Sequence, residues 1–157
     1  MLSLIQKVPI ITTIFSFWFA WVLHARWKSK AKPEYLFWWM VGVFCYGLGT
    51  FTESWVGLLG WNTWIFKAWY ISGALLGGFP LAQGSVYLMF SKSTANKMMM
   101  AVIALIFIAS VLVVLSPIKY ELVETTRLTG KVLEWKFVRL MTPFVNLYAF
   151  VFLVGGA

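Results

Sequence analysis

Two charged residues of opposite sign, Glu53 and Lys67, stand inside otherwise apolar runs. A carboxylate and an ammonium in apolar surroundings can neutralise each other and lock two segments, or they can hold a proton or a polar ligand. Thr50, Thr52, Ser54 and Asn62 surround them with hydroxyl and amide groups, and Gln83 with Ser85 adds a second polar spot further along. Three- and four-residue steps place Trp38, Gly42, Cys45, Gly49 and Glu53 on one helix face, and Lys67, Tyr70, Ala74, Gly77 and Leu81 on a face of the next helix. Both faces carry small residues, which let helices approach closely. The sequence therefore predicts an intramembrane ion pair between Glu53 and Lys67, ringed by a polar collar of Thr50, Thr52, Ser54, Asn62, Gln83 and Ser85. A charge at the middle of a span costs at least ~2.5 kcal/mol, so mutual pairing is the cheapest remedy. An ion-pair clamp is the first reading, a ligand or proton site the second, and snorkelling of Lys67 to the headgroups the third. Hydroxyls in such helices more often bond their own backbone than a ligand.

The elements that must position these residues are long apolar helices. Hydrophobic residues make up 61% of the chain and charged ones only 11%, far from the ~25% charged of soluble domains. The fold class expected is all-α, a polytopic transmembrane helical bundle of about five spans forming a single domain. The spans are expected at about 9–24, 35–55, 64–90, 98–115 and 138–157, with an extracytoplasmic loop at about 118–137. Pro9 is expected to open the first helix and Pro33 the second. Gly77-Gly78-Phe79-Pro80 predicts a kink near the middle of the third. In the loop, Tyr120, Leu122 and Thr129-Gly130 suggest a short surface hairpin.

Charge sets the expected orientation. Arg26 to Lys32 and Ser91 to Lys97 are basic connections, whereas Gly57 to Asn62 holds no Lys or Arg. The positive-inside rule then puts the N-terminus outside a bacterial inner membrane and the two basic connections in the cytoplasm. Trp18, Trp21, Trp27, Trp38 and Trp39 are assigned to the cytoplasmic interface, and Trp55, Trp61, Trp64 and Trp69 to the outer one. In the fifth span, Asn146 is expected to bond across helices. The close at Gly155-Gly156-Ala157, without a polar flank, is what a six- or seven-helix bundle lacking its last helices would show.

Other chemistries find no residues to carry them. His24 is the only histidine, so a histidine-cluster metal site or bis-histidine haem is not expected. The single cysteine, Cys45, has no partner for a disulfide or zinc site. There is no Ser/His/Asp set, phosphate loop or paired carboxylate, so the chain is not expected to be an enzyme. The excess of 13 basic over 5 acidic residues flanks the apolar runs and suits lipid headgroups rather than nucleic acid. The Trp rings offer surfaces for a pigment, quinone or sterol, and the cofactor is left unassigned.

The order of basic loop, Phe37 to Glu53, short loop, Phe66 to Gly73 and the Pro80 helix resembles the membrane modules of seven-helix bacterial sensor proteins of the histidine-kinase type. It also resembles small uncharacterised bacterial polytopic membrane proteins. The resemblance covers about residues 25–117 and rests on helix order and aromatic and glycine texture. It implies sensing through the bundle; the chain is expected to depart from the family in lacking a cytoplasmic output domain, and it shows no late-span lysine for a retinal Schiff base, which a missing final helix could hold. The expected function is that of a non-catalytic integral membrane protein acting through partners, as a sensor-type bundle or an accessory subunit of a larger membrane complex. The expected partners are membrane lipids and other membrane-protein subunits. The alternative is a small-solute or ion carrier, which would need broken helices and polar groups at mid-membrane.

Overall fold

The computed structural model describes residues 4–124 and 128–155. Among them are six α-helices: α1 (Leu4–Ser29), α2 (Glu34–Leu59), α3 (Thr63–Trp69), α4 (Phe79–Met89), α5 (Lys92–Leu115) and α6 (Lys136–Val154). A π-helical turn, Tyr70–Leu75, joins α3 towards α4, so that the three form one broken helix from Thr63 to Met89. Five helices among the described residues are thus long and apolar enough to cross a membrane. The expected end of the last one at Ala157 lies outside the described residues.

Helix ends differ from the apolar boundaries for local reasons. Helix α1 starts before Pro9, which lies inside it rather than opening it. The basic residues Arg26 and Lys28 belong to its last turn, where cations favour the carbonyl end of the helix dipole. Helix α5 begins at Lys92 because the Ser91 hydroxyl accepts from the Thr94 amide, so the supposed loop up to Lys97 is helical. Trp18, expected at a helix end, lies near the middle of α1, about 16 Å from its end at 1.5 Å per residue, and is exposed there.

The broken third helix is the hub. It is the most buried of the five and touches α2, α5 and α6, whereas α1 packs against α2 at the edge. Its contact with α2 is made by backbone: a Cβ on Gly49 would lie 3.1 Å from the Gly73 Cα. The expected kink is a full break. Leu76 bonds back to Ile71, five residues earlier, and a Cβ on Gly77 would lie 2.3 Å from the Gly73 carbonyl oxygen. Pro80 then restarts the helix in the first turn of α4, where its missing N–H costs nothing.

The connection after α5 folds over this hub. Ile118 and Leu133 form an isolated antiparallel bridge, flanked by 3-10 turns at Tyr120–Leu122 and Gly130–Val132. Among the described residues the expected hairpin shows the Ile118–Leu133 bridge and a further bridge position at Glu124, the turn at 125–127 lying outside them, and Val132 and Leu133 are buried in the core. Ser116 anchors both sides: its amide donates to Leu112, and its hydroxyl accepts from the Trp135 amide, 3.3 Å away.

The turn between α1 and α2 holds Ala31 at φ 53° and Lys32 at φ 57°. Lys32 N–H reaches the Trp27 carbonyl across 3.0 Å, a helix ending whose left-handed position usually takes glycine. Ala31→Gly is expected to stabilise the fold by about 0.5–1 kcal/mol, net of glycine's greater unfolded-state entropy. Thermal unfolding in detergent, followed by circular dichroism, reads this as a raised midpoint; a lowered one contradicts the left-handed turn.

Candidate functional site

Lys67 is buried, at 8% exposure, and its ammonium does not meet Glu53. It donates instead to the Val114 carbonyl of α5 across 2.6 Å, and lies 5.6 Å from the centre of the Trp64 ring. The last carbonyls of a helix have no partners of their own, and they carry its negative dipole end. Helix α5 has no basic residue in its last turn. Lys67 supplies from the hub the cation that α5 lacks.

Glu53 is exposed, and among the described residues it forms no ion pair. The reason is its azimuth on α2. Gly47 packs on Ser16 and Phe17, and Thr50 meets Thr13, so this stripe faces α1. Gly42 packs on Leu81 and Gly49 on Gly73, with Cys45, Thr52 and Val56 buried around them, so that stripe faces the third helix. At about 100° per residue, Glu53 and Tyr46 fall between the two stripes. Both therefore look out of the cleft between α1 and the hub, and Lys67 turns away towards α5.

The proposed collar is distributed over the fold rather than gathered round a pocket. The Thr50 hydroxyl lies 2.9 Å from that of Thr13 across the α1–α2 seam. Thr52 donates to the Gly49 carbonyl and Ser54 to that of Thr50, both on their own helix. Asn62 caps α3 by accepting from the Trp64 and Ile65 amides. Ser85 is half-buried on α4, apart from these bonds.

Gln83 ties three helices together. Its side chain has 0% exposure; Nε2 donates to the Ala95 carbonyl of α5 across 3.1 Å, and Oε1 accepts from the Tyr148 hydroxyl of α6 at 2.7 Å. Tyr148, not Asn146, makes the expected cross-helix bond of α6. Near the start of α5, the Tyr87 hydroxyl donates to Asn96 at 2.5 Å. At the other end of the bundle, the Tyr70 hydroxyl pairs with that of Thr142 at 2.9 Å. Among the described residues, no buried side-chain nitrogen or oxygen lacks a partner.

One concavity does gather polar groups. It measures about 390 Å³ and lies between the π turn, α6 and the loop. Arg139, Thr142, Pro143 and Asn146 recur at helical spacing along one wall, Trp69, Tyr70 and Ala74 form the other, and Thr129 to Lys131 close the end. A Cβ on Gly130 would lie 2.8 Å from the Tyr70 ring, so glycine is what lets the loop rest on it. The sequence showed Thr129-Gly130 as a turn and Asn146 as a lone amide, but no local pattern joins residues some 70 positions apart.

The geometry predicts that Lys67→Met destabilises the bundle by about 1.5–3 kcal/mol, the worth of a hydrogen bond from a charged donor. The loss should be the same in a Glu53→Gln background. A double-mutant cycle on reversible unfolding checks this: a coupling energy above about 0.5 kcal/mol would restore the Glu53–Lys67 pair.

No protein-family model matches the sequence, and comparison with curated proteins and with solved structures finds no match either. The functional reading therefore rests on the side chains themselves: a bundle whose buried polar side chains, among the described residues, are bonded to other side chains or to backbone carbonyls, with Glu53, Lys131 and Asn146 exposed and Arg139 half-buried.

Proposed function

We propose that the chain is a non-catalytic integral membrane protein that acts by docking another membrane protein, as a sensor-type bundle or as an accessory subunit of a larger complex. Five long apolar helices, basic connections at one end and apolar exposed faces support insertion in a membrane. We place it in a bacterial inner membrane with the N-terminus outside, a reading that rests on the basic stretches Arg26 to Lys32 and Lys92 to Lys97 and that the basic residues of 119–139 partly offset.

Glu53 carries the reading. It is an exposed carboxylate six residues from the end of α2, in the cleft between the α2 stripe that packs on α1 and the one that packs on the third helix. The α1 wall of that cleft continues into an apolar hollow of about 350 Å³ lined in part by Phe15, Phe19 and Tyr46. A carboxylate facing lipid is costly, and a cationic side chain on a partner's membrane helix removes that cost. The complementary partner is thus a transmembrane helix with a Lys or Arg near the same end, packed over Tyr46 and Glu53. Interior groups are less available for this role, because they already hold the bundle together.

Purification of the tagged protein from its native membrane in mild detergent tests the proposal. A co-purifying membrane polypeptide is expected, reduced about tenfold by Glu53→Gln, as for the loss of one interhelical polar contact. Glu53→Lys should abolish it, and a basic-to-acidic change in the partner helix should restore it. A chain that elutes alone, or a partner indifferent to Glu53→Lys, contradicts the docking role.

The break between Leu75 and Phe79 favours a second reading, a small-solute or ion carrier, since discontinuous helices line carrier sites. Solute uptake into vesicles containing the purified chain alone would support that reading.

A further inference from the structure

The groove between the π turn and α6 has a composition that the docking role does not use. Arg139 and Lys131 both line it, no carboxylate does, and neither cation forms an ion pair among the described residues. The two come from separate elements, the first turn of α6 and the 3-10 turn before it. Their convergence therefore depends on the loop being held down, which the Gly130–Tyr70 contact does. Below them the wall continues through Thr142 and Pro143 to Asn146, about 10 Å further along α6. Pro143, which lines the groove, and Leu147, one turn further on the same side, are exposed, so an apolar edge of α6 borders the groove.

Two cations at one end of a trough that continues along the apolar edge of α6 match a molecule with an anionic head and an apolar tail. A guanidinium takes a phosphate through two parallel N–H bonds, and an ammonium adds a point charge beside it. We propose that this groove is a binding site for an anionic phospholipid, with the phosphate between Arg139 and Lys131 and an acyl chain lying along α6 past Pro143. This rests on the membrane reading but not on the docking role of Glu53, which lies on another face of the bundle.

The test uses the full chain in nanodiscs of phosphatidylcholine containing phosphatidylglycerol with a photoreactive diazirine near its glycerol end. Crosslinked peptides are mapped by mass spectrometry. Adducts are expected on the segment from Arg139 to Leu147 and around Trp69. The Arg139→Gln/Lys131→Gln double variant should lower them about twenty-five-fold, since each basic residue near an anionic surface is worth about fivefold. Lys30→Gln/Lys32→Gln removes the same charge at the other end of the bundle and should leave them unchanged, and Arg139→Lys should retain part of the signal. Circular dichroism and elution volume identify any variant that has lost its fold, and Arg139→Lys then carries the comparison.

Equal adducts with diazirine-labelled phosphatidylcholine, or equal losses in both double variants, would overturn the site. Displacement of the adducts by inorganic phosphate at matched concentration would assign the cations to a free anion and overturn the lipid. Failure of the chain to enter nanodiscs at all would instead count against the membrane reading.

Discussion

The contact between the Lys67 ammonium and the Val114 carbonyl sets much of the arrangement at the loop end of the bundle. A helix that ends among apolar side chains leaves its last carbonyls without water, and each such group costs free energy comparable to a lost hydrogen bond. Helix α5 ends beside a buried Ser116 and has no cation of its own. The third helix provides one, and this fixes the end of α5 against the hub. From there the chain is committed: Ser116 bonds the Trp135 amide, the loop closes at Ile118 and Leu133, and α6 starts in a set position.

The break in the third helix distributes its contacts among three neighbours. Before the break, Lys67 reaches α5 and Tyr70 reaches Thr142 of α6. Across it, Gly73 accepts the close approach of Gly49 from α2. After it, Gln83 bonds α5 and α6 together, and Trp38 of α2 meets Phe79 edge to face. A straight helix keeps one azimuth for each row of residues along its length. The π turn inserts an extra residue and rotates the rows that follow, so one helix serves different neighbours at its two ends.

The large features were readable because they depend on local rules. Five apolar stretches, a disruption at Gly77 to Pro80 and small residues where α2 meets the third helix all follow from composition and spacing. The partner of Lys67 was not readable, because it is a backbone carbonyl. Every residue has one, and only the tertiary fold decides which is left over at a helix end. Glu53 was misplaced for a different reason. A spacing of eleven residues from Gly42 brings it within about 20° of that glycine, yet α2 is clasped from two sides and the gap between its neighbours falls at that angle. Asn146 and Tyr148 show the same limit: two residues apart on α6, they face opposite ways, one to the groove and one to Gln83. Trp18 shows that an aromatic residue in a long apolar helix need not mark its end.

Polar groups in this protein fall into two populations, and the division bears on where function can reside. Those inside are consumed: Gln83 by Ala95 and Tyr148, Tyr70 by Thr142, Thr50 by Thr13, Lys67 by α5. Releasing any of them to bind a ligand would cost the bond that holds two helices together, and the loss would be felt as stability before it was felt as affinity. The groups on the outer faces carry no such penalty. Glu53 looks out between α1 and the hub, while Arg139 and Lys131 look out beside α6, with the third helix between them. None of the three forms an ion pair among the described residues, which leaves each open to a counter-charge from its surroundings. Because no buried side-chain nitrogen or oxygen among the described residues lacks a partner, a ligand met at the exposed charges costs the fold less than one met in the core.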